Sequence, residues 1–335
     1  MADPAVVVVM REFKRDLLAR ETAQMAAMTR RWLQIEKGLQ GDLNALIAKA
    51  DEWRKDGRAP TSAMIQGEER YRSLIAQANV EARRYQDYAE AVITGEQRKL
   101  GALGIEHAAE AIRAAGGVSF SILPRNAVEY MTGLCGDGSP LFSLLKGRAI
   151  APDAVNGLTD ALVNGIGAGY NPVKVARQMA DGLAAGLQKA LVIARTEQLR
   201  VYRTANVAEY RESGVVSSFK RMATKDSRTC LACLAADGET FALEREMYDH
   251  PNGRCTQVPI LADGPDLDFE TGAEWFARLD AQKQEEMLGS YYDAWKGGQF
   301  DFRALARTTH NETWGDSLRI PSLEELRIAK QEGER

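Results

Sequence analysis

Three of the chain's four cysteines and one of its three histidines fall within residues 226–259, DSRTCLACLAADGETFALEREMYDHPNGRCTQVP, and this concentration constrains the fold more than any other feature. The spacing is C-x2-C-x16-H-x4-C, through Cys230, Cys233, His250 and Cys255. Two thiolates two residues apart can point into one tetrahedral site from a tight turn, and a later His and Cys close it with no position left for water. The pattern therefore predicts a structural zinc rather than a catalytic one; the alternative is four unrelated residues in a reduced protein. Asp237-Gly238, a turn pair flanked by apolar residues, predicts a small hairpin between the two ligand pairs. Metal binding at such a place is folding free energy, so the four side chains are expected to fix a module too small to build its own core.

The rest of the chain reads as mainly helical. From Arg11 to about Gly57, apolar residues recur at helical spacing (Leu17, Met25, Met28, Trp32, Ile35, Leu39, Leu43, Leu46) and predict one long amphipathic helix, broken at Asp56-Gly57-Arg58-Ala59-Pro60. A second helix is expected from about Thr61 to Leu103, packing back on the first as an antiparallel hairpin; a coiled coil with another subunit is the alternative. Residues 116–153 are richer in Gly, Ser and Pro and read as a connector with short helices. Helical signals return from Ala154 to Arg211. Asn171-Pro172 suits a helix start, a further helix is expected from about Gln188 to Glu212, and Gly214 is its left-handed stop. Residues 215–222 are expected to form a strand. Helices are expected over 273–288 and 290–295 and around 302–307, with a charged tail from Pro321 that frays. The fold class is α+β and mainly helical, with an arm (1–115), a connector (116–153), a zinc-stapled module (154–262) and an acidic helical segment (263–335).

At 335 residues and 45% hydrophobic composition, the chain has room for two or three domains with real cores. Its net charge of −4 is not that of a nucleic-acid coat. The apolar run at residues 5–10 is too short for a membrane span or a signal core, so a start in the cytoplasm is expected. Cys135 stands apart and reads as a buried small residue.

The block from about Asn156 to Pro259 resembles the phage Mu F-like head-morphogenesis family, the minor capsid proteins of tailed bacteriophages and prophages. The residues that carry the likeness are Ile193-Ala194-Arg195-Thr196-Glu197, then Asn206, Tyr210 and Gly214, then Asp226-Ser227-Arg228-Thr229-Cys230 with Cys233, Asp237-Gly238, His250-Pro251-Asn252, Arg254-Cys255 and Val258-Pro259. Trp275, Phe276, Gln284, Leu288, Gly289, Trp295 and Gly297 are similar to a tail segment common in such proteins. Members often have Cys-Arg-Cys after the His-Pro; Gly253 stands at the first of those positions here, leaving Cys255 as the fourth ligand, with Asp226 as its substitute if Cys255 points away. The resemblance implies a structural role in the virion head: few copies, association with portal, scaffold or major capsid protein, and virion assembly or DNA delivery.

Arg195 and Glu197 do not face one partner on a helix. Arg195 is expected to hydrogen-bond into the zinc module, and Glu197 to pair with Arg228 or Arg254; the alternative is a solvated face. No His-x-Glu precedes the Cys pair, and no Gly-x-Ser-x-Gly, P-loop or dinucleotide fingerprint is present, so no enzyme is expected. The rival reading is a zinc-containing nucleic-acid module, with Lys220, Arg221, Lys225 and Arg254 as candidate phosphate contacts on packaged DNA; steep salt dependence distinguishes it.

Overall fold

A computed structural model describes residues 3–117, 126–135, 138–147, 150–168, 170, 172–245, 247–311 and 314–333. The chain is 68% helical with small antiparallel sheets, a mainly helical α+β protein. The helices before the cysteines are α1 (Ala5–Lys55), α2 (Ser62–Gly67), α3 (Glu69–Ala114), α4 (Asn126–Glu129), α5 (Leu141–Gly147), α6 (Ile150–Gly167) and α7 (Pro172–Ser213). Strand β1 (Val216–Met222), helix α8 (Leu231–Ala235), and strands β2 (Thr240–Ala242) and β3 (Thr256–Leu261) follow. Helices α9 (Gly272–Ala277), α10 (Ala281–Leu288) and α11 (Tyr292–Lys296), strands β4 (Arg307–Asn311) and β5 (Gly315–Arg319), and helix α12 (Leu323–Gly333) complete the chain.

Contacts divide the chain into two compact units, each discontinuous in sequence. One comprises residues 20–95 and 133–194. Here the apolar stripe of α1 buries Trp32, Leu39, Leu43 and Leu46, and α3 supplies Leu74, Ala78 and Tyr85. The Trp32 and Tyr85 rings meet edge to face at 4.6 Å, and the Tyr85 hydroxyl donates to the Met28 carbonyl, so the apolar surface of α1 carries a specific polar anchor. Helices α6 and α7 approach backbone to backbone: a Cβ on Gly182 would lie 2.5 Å from the Gly157 carbonyl carbon, and one on Gly186 would lie 2.6 Å from the Ile150 carbonyl oxygen. The glycines weaken α7 as a helix but allow this approach.

The other unit comprises residues 1–19, 96–132 and 195–335. Its sheet has the order β2-β1-β3, antiparallel throughout, with Phe219 opposite Phe241 on one side and Pro259 on the other. Tyr210, Phe219, Phe241, Ile112 and Leu243 pack around Cys233 and Cys255 in one cluster. The first turns of α1 bring Val6, Val7 and Met10 against Met222, Val258 and Phe269 in a second. In a third, Leu231 and Leu234 of α8 meet Phe276, Leu288, Phe300, Phe302 and Leu326. These clusters draw on α1, α3 and residues 267–326 as well as on residues 154–262, so the sheet and α8 are packed by the whole unit.

Several elements differ from the sequence expectations. α1 begins at Ala5 and α3 continues to Ala114, beyond the expected Arg11 and Leu103, because the apolar spacing persists through residues 5–10 and 105–112. Residues 172–213 form one unbroken helix rather than two, since nothing after Leu187 breaks the ladder. It stops where expected, at Gly214 with φ +65°. The proposed cap at Asn171 lies outside the described residues. Asp237-Gly238 does not turn a hairpin between the ligand pairs: it leads from α8 into β2, which pairs with β1. The helix expected over 273–288 is two, because Asp280 caps a fresh start by accepting from the Lys283 amide at 2.8 Å. Residues 302–305 make a 3-10 turn, and the β4-β5 hairpin was not foreseen. The tail carries α12 rather than fraying, anchored by Leu326 and by Glu325, which receives Arg319 and caps at Ser322.

Candidate metal centre

The C-x2-C pair sits at the start of a helix. Cys230 is the N-cap of α8, and its sulfur accepts from the Cys233 amide at 3.3 Å. Two intervening residues carry the chain from N-cap to N3, so both sulfurs reach the same side while Leu231 and Leu234 turn into the apolar cluster behind. His250 comes from the loop between β2 and β3, and its Nε2 lies 3.1 Å from Cys230 Sγ and 3.2 Å from Cys233 Sγ. Its Nδ1 is 2.7 Å from the Pro251 carbonyl, which fixes the proton there and leaves Nε2 as the donor atom for a metal.

Cys255 opens the approach to β3 and is buried. The donors form two triads that share Cys233, namely Cys230–Cys233–His250 and Cys233–Asp249–Cys255, and within each triad they lie within 4.8 Å of one another. Tetrahedral zinc with its usual bond lengths puts sulfur and nitrogen ligands about 3.5 Å apart. The observed 3.1 and 3.2 Å are a few tenths shorter, a gap that a small outward shift closes. Thiolates and imidazole are the donor set that zinc takes, so these residues fit the group, and the cluster could hold a metal ion.

The electrostatics of the cluster favour thiolate at Cys230 and Cys255 and oppose it at Cys233. Hydrogen bonding from Cys233, reinforced by His250, holds Cys230 down to about 4. The same hydrogen bond to Cys230 raises Cys233, with Cys255 and burial adding to it. Hydrogen bonding from Cys233 lowers Cys255. Burial pushes His250 down, but Cys230 and the charge of Asp249 outweigh it and hold the imidazolium up to about 9 in the absence of metal. Burial lowers Lys14, an α1 residue donating to the Met222 carbonyl at 2.7 Å, to about 8.

Asp226, the substitute ligand, is in neither triad. Its carboxylate takes both Arg254 nitrogens at 2.7 and 2.8 Å, the Thr229 hydroxyl at 2.8 Å and the Arg228 amide at 3.0 Å. The Arg254 hydrogen bonds hold it well below the usual carboxylate range. A depressed folded pKa contributes stability that is present above the unfolded value near 4 and lost as pH falls through the folded one. Arg254→Met is therefore expected to cost about 1 kcal/mol at pH 7, discounted because Asp226 is a third exposed, and progressively less below pH 4. Urea midpoints of the two proteins at pH 7 and pH 3 check it; a gap that stays constant with pH would contradict it.

Of the helix trio, Arg195 reaches the loop, donating to Asn252 Oδ1 at 3.3 Å, while the Thr196 hydroxyl accepts the Asn252 amide at 3.0 Å. Asn252 is left-handed, with φ +65°, a conformation most side chains avoid and Asn tolerates, and these contacts hold it there. Glu197 is buried and pairs with Arg200 at 2.8 Å on its own helix. Arg228 is exposed. The candidate phosphate contacts are engaged within the protein. Lys220 donates to the Leu267 carbonyl at 2.6 Å, and Lys225 pairs with Asp237 at 3.0 Å. Arg254 is bound to Asp226, and Arg221, 1% exposed, donates to the Tyr248 carbonyl. Arg221 is thereby corrected from surface cation to core residue. Sequence reasoning missed Asp249, whose signal was only its place beside His250, and missed Arg203 and Lys14, which lie far away in the chain.

Residues 156–258 match the model of a family described as Phage Mu protein F like protein. The comparisons with curated proteins and with solved structures give no match. No helix of the described residues is long and apolar enough to cross a membrane.

Proposed function

From the match of residues 156–258 to the Phage Mu F-like family model, we propose that the chain is a structural minor capsid protein of a tailed bacteriophage or prophage, associated with the portal and the capsid interior during head assembly or DNA delivery. The family is one of head morphogenesis rather than enzymes. The observation that carries the reading is the coincidence of the matched segment with α7, the sheet and most of the centre: it contains Cys230, Cys233, His250 and Cys255 together with the Arg195-Thr196 contacts that hold the His250 loop. In this reading residues 154–262 are the morphogenesis module, 1–115 its helical arm, 116–153 a connector and 263–335 a C-terminal segment. Zinc, bound by Cys230, Cys233, His250 and Cys255, serves as a brace: it supplies no turnover, and ties α8, the His250 loop and the approach to β3 together. The protein passes from host cytoplasm to the head interior or portal vertex.

DNA contact through Lys220, Arg221, Lys225 and Arg254 is the weaker reading, because each of those groups already holds an internal partner. The test is co-expression with the products of neighbouring genes, followed by affinity purification at low and high salt. Co-purification of a portal, scaffold or major capsid protein that survives high salt is expected. Recovery of nucleic acid alone, lost as salt is raised, would overturn the architectural reading in favour of a DNA-binding one.

A further inference from the structure

We propose that Asp249 is not a ligand of the centre but the residue that positions it, pinned in an outer shell by Arg203 and Arg221, and that residue 253 is glycine because the Asp249 carboxylate fills the space its side chain would need. This rests on the metal reading above. The Asp249 side chain is 2% exposed and both of its oxygens are taken. Oδ1 accepts the His250 amide at 2.9 Å, lies 3.7 Å from Cys233 Sγ and 3.6 Å from Arg221 Nη1; Oδ2 faces Arg203 Nη1 at 3.3 Å. Arg221 belongs to the central strand β1, donates to the Tyr248 carbonyl and sits 3.9 Å from Cys233 Sγ. Arg203 belongs to α7 and also reaches the Cys255 carbonyl at 3.4 Å. One carboxylate thus ties a strand, a helix and the His250 loop together around the sulfurs.

Charge separates the two triads. A divalent ion held by three thiolates and a neutral imidazole leaves one negative charge in excess, and Asp249 adds a second; Arg203 and Arg221 supply two positives. A second ion among Cys233, Asp249 and Cys255 would be buried beside two guanidinium groups that already neutralise those donors. The metal position is therefore the triad with His250, completed by the Cys255 sulfur from the other triad, and Asp249 is left to the guanidinium groups. Gly253 fits the same arrangement. A Cβ built there would fall on the Asp249 carboxylate, while the Gly253 backbone is not left-handed, so it is the carboxylate rather than the backbone conformation that stands in the way of a side chain.

Cobalt(II) titration of the full chain, stripped of metal under reducing conditions, tests this through the visible bands that report thiolate number and geometry. Wild type is expected to bind one ion. Asp249→Asn should keep the same bands per cobalt while binding about 10- to 100-fold more weakly, the usual cost of losing an outer-shell partner. Gly253→Ala should do the same, and the double variant should be no weaker than Asp249→Asn alone, because both changes remove one arrangement. Shifted or weakened bands in Asp249→Asn would make Asp249 a ligand and overturn the proposal. So would an unchanged affinity, two ions in wild type, or additive losses in the double variant. Should Asp249→Asn fail to fold, Gly253→Ala carries the test alone, and unchanged affinity there overturns it. A wild type that binds no cobalt overturns the metal reading itself, and this proposal with it.

Discussion

Cys233→Ser is expected to release the metal and lower the melting temperature by about 10 °C, a cost of roughly 3 to 5 kcal/mol. Cys233 is the donor shared by both triads, is buried, and packs in the same cluster as Phe219 and Phe241. The loss is expected to be a fraction of the ~10–16 kcal/mol that structural zinc supplies where it is the whole fold. Three apolar clusters remain around the sheet and α8 when the ion leaves. The expected product is therefore a weakened module, loosest in the His250 loop, rather than an unfolded chain. Calorimetry of both proteins with and without chelator checks this. Chelation should bring wild type down close to the variant and barely move the variant. Equal melting of wild type with and without chelator would show that the cluster braces nothing.

Gly182→Ala is expected to cost about 2 to 3 kcal/mol in the other unit, although alanine is the better helix former. A methyl there meets the Gly157 carbonyl group, which is helix backbone, so relief requires α6 and α7 to move apart and unpack Leu158, Leu162, Met179 and Leu183. Gly41→Ala in α1 is the internal control, since nothing lies within 4 Å of the place its methyl would take; that change should gain about 0.5 to 1 kcal/mol. Hydrogen exchange over residues 150–190 locates the effect. Equal protection in Gly182→Ala and wild type would mean that the helices do not meet through these glycines.

The sequence by itself determined the long helices, since an apolar residue every three or four positions leaves a chain in water one way to bury them, as with Trp32, Leu39, Leu43 and Leu46. It likewise determined the stop at Gly214 and the pairing of Cys230 with Cys233, because both are local: a left-handed residue, and an N-cap three positions from N3. The split at Asp280 is local too, an N-cap residue ahead of a fresh helical run, whereas the short β4-β5 hairpin carries too little alternation to stand out. Tertiary structure alone decided what surrounds the sulfurs. Lys14, Arg203, Arg221 and Asp249 are brought to one buried place from α1, α7, β1 and the His250 loop. A cation on a strand looks like a surface group until its partners are known, and those partners lie 12 to 52 residues away for Arg221 and Arg203. Spacing along a chain encodes which donors can share an ion; the charges that neutralise them are chosen by packing, which leaves no period in the sequence to read.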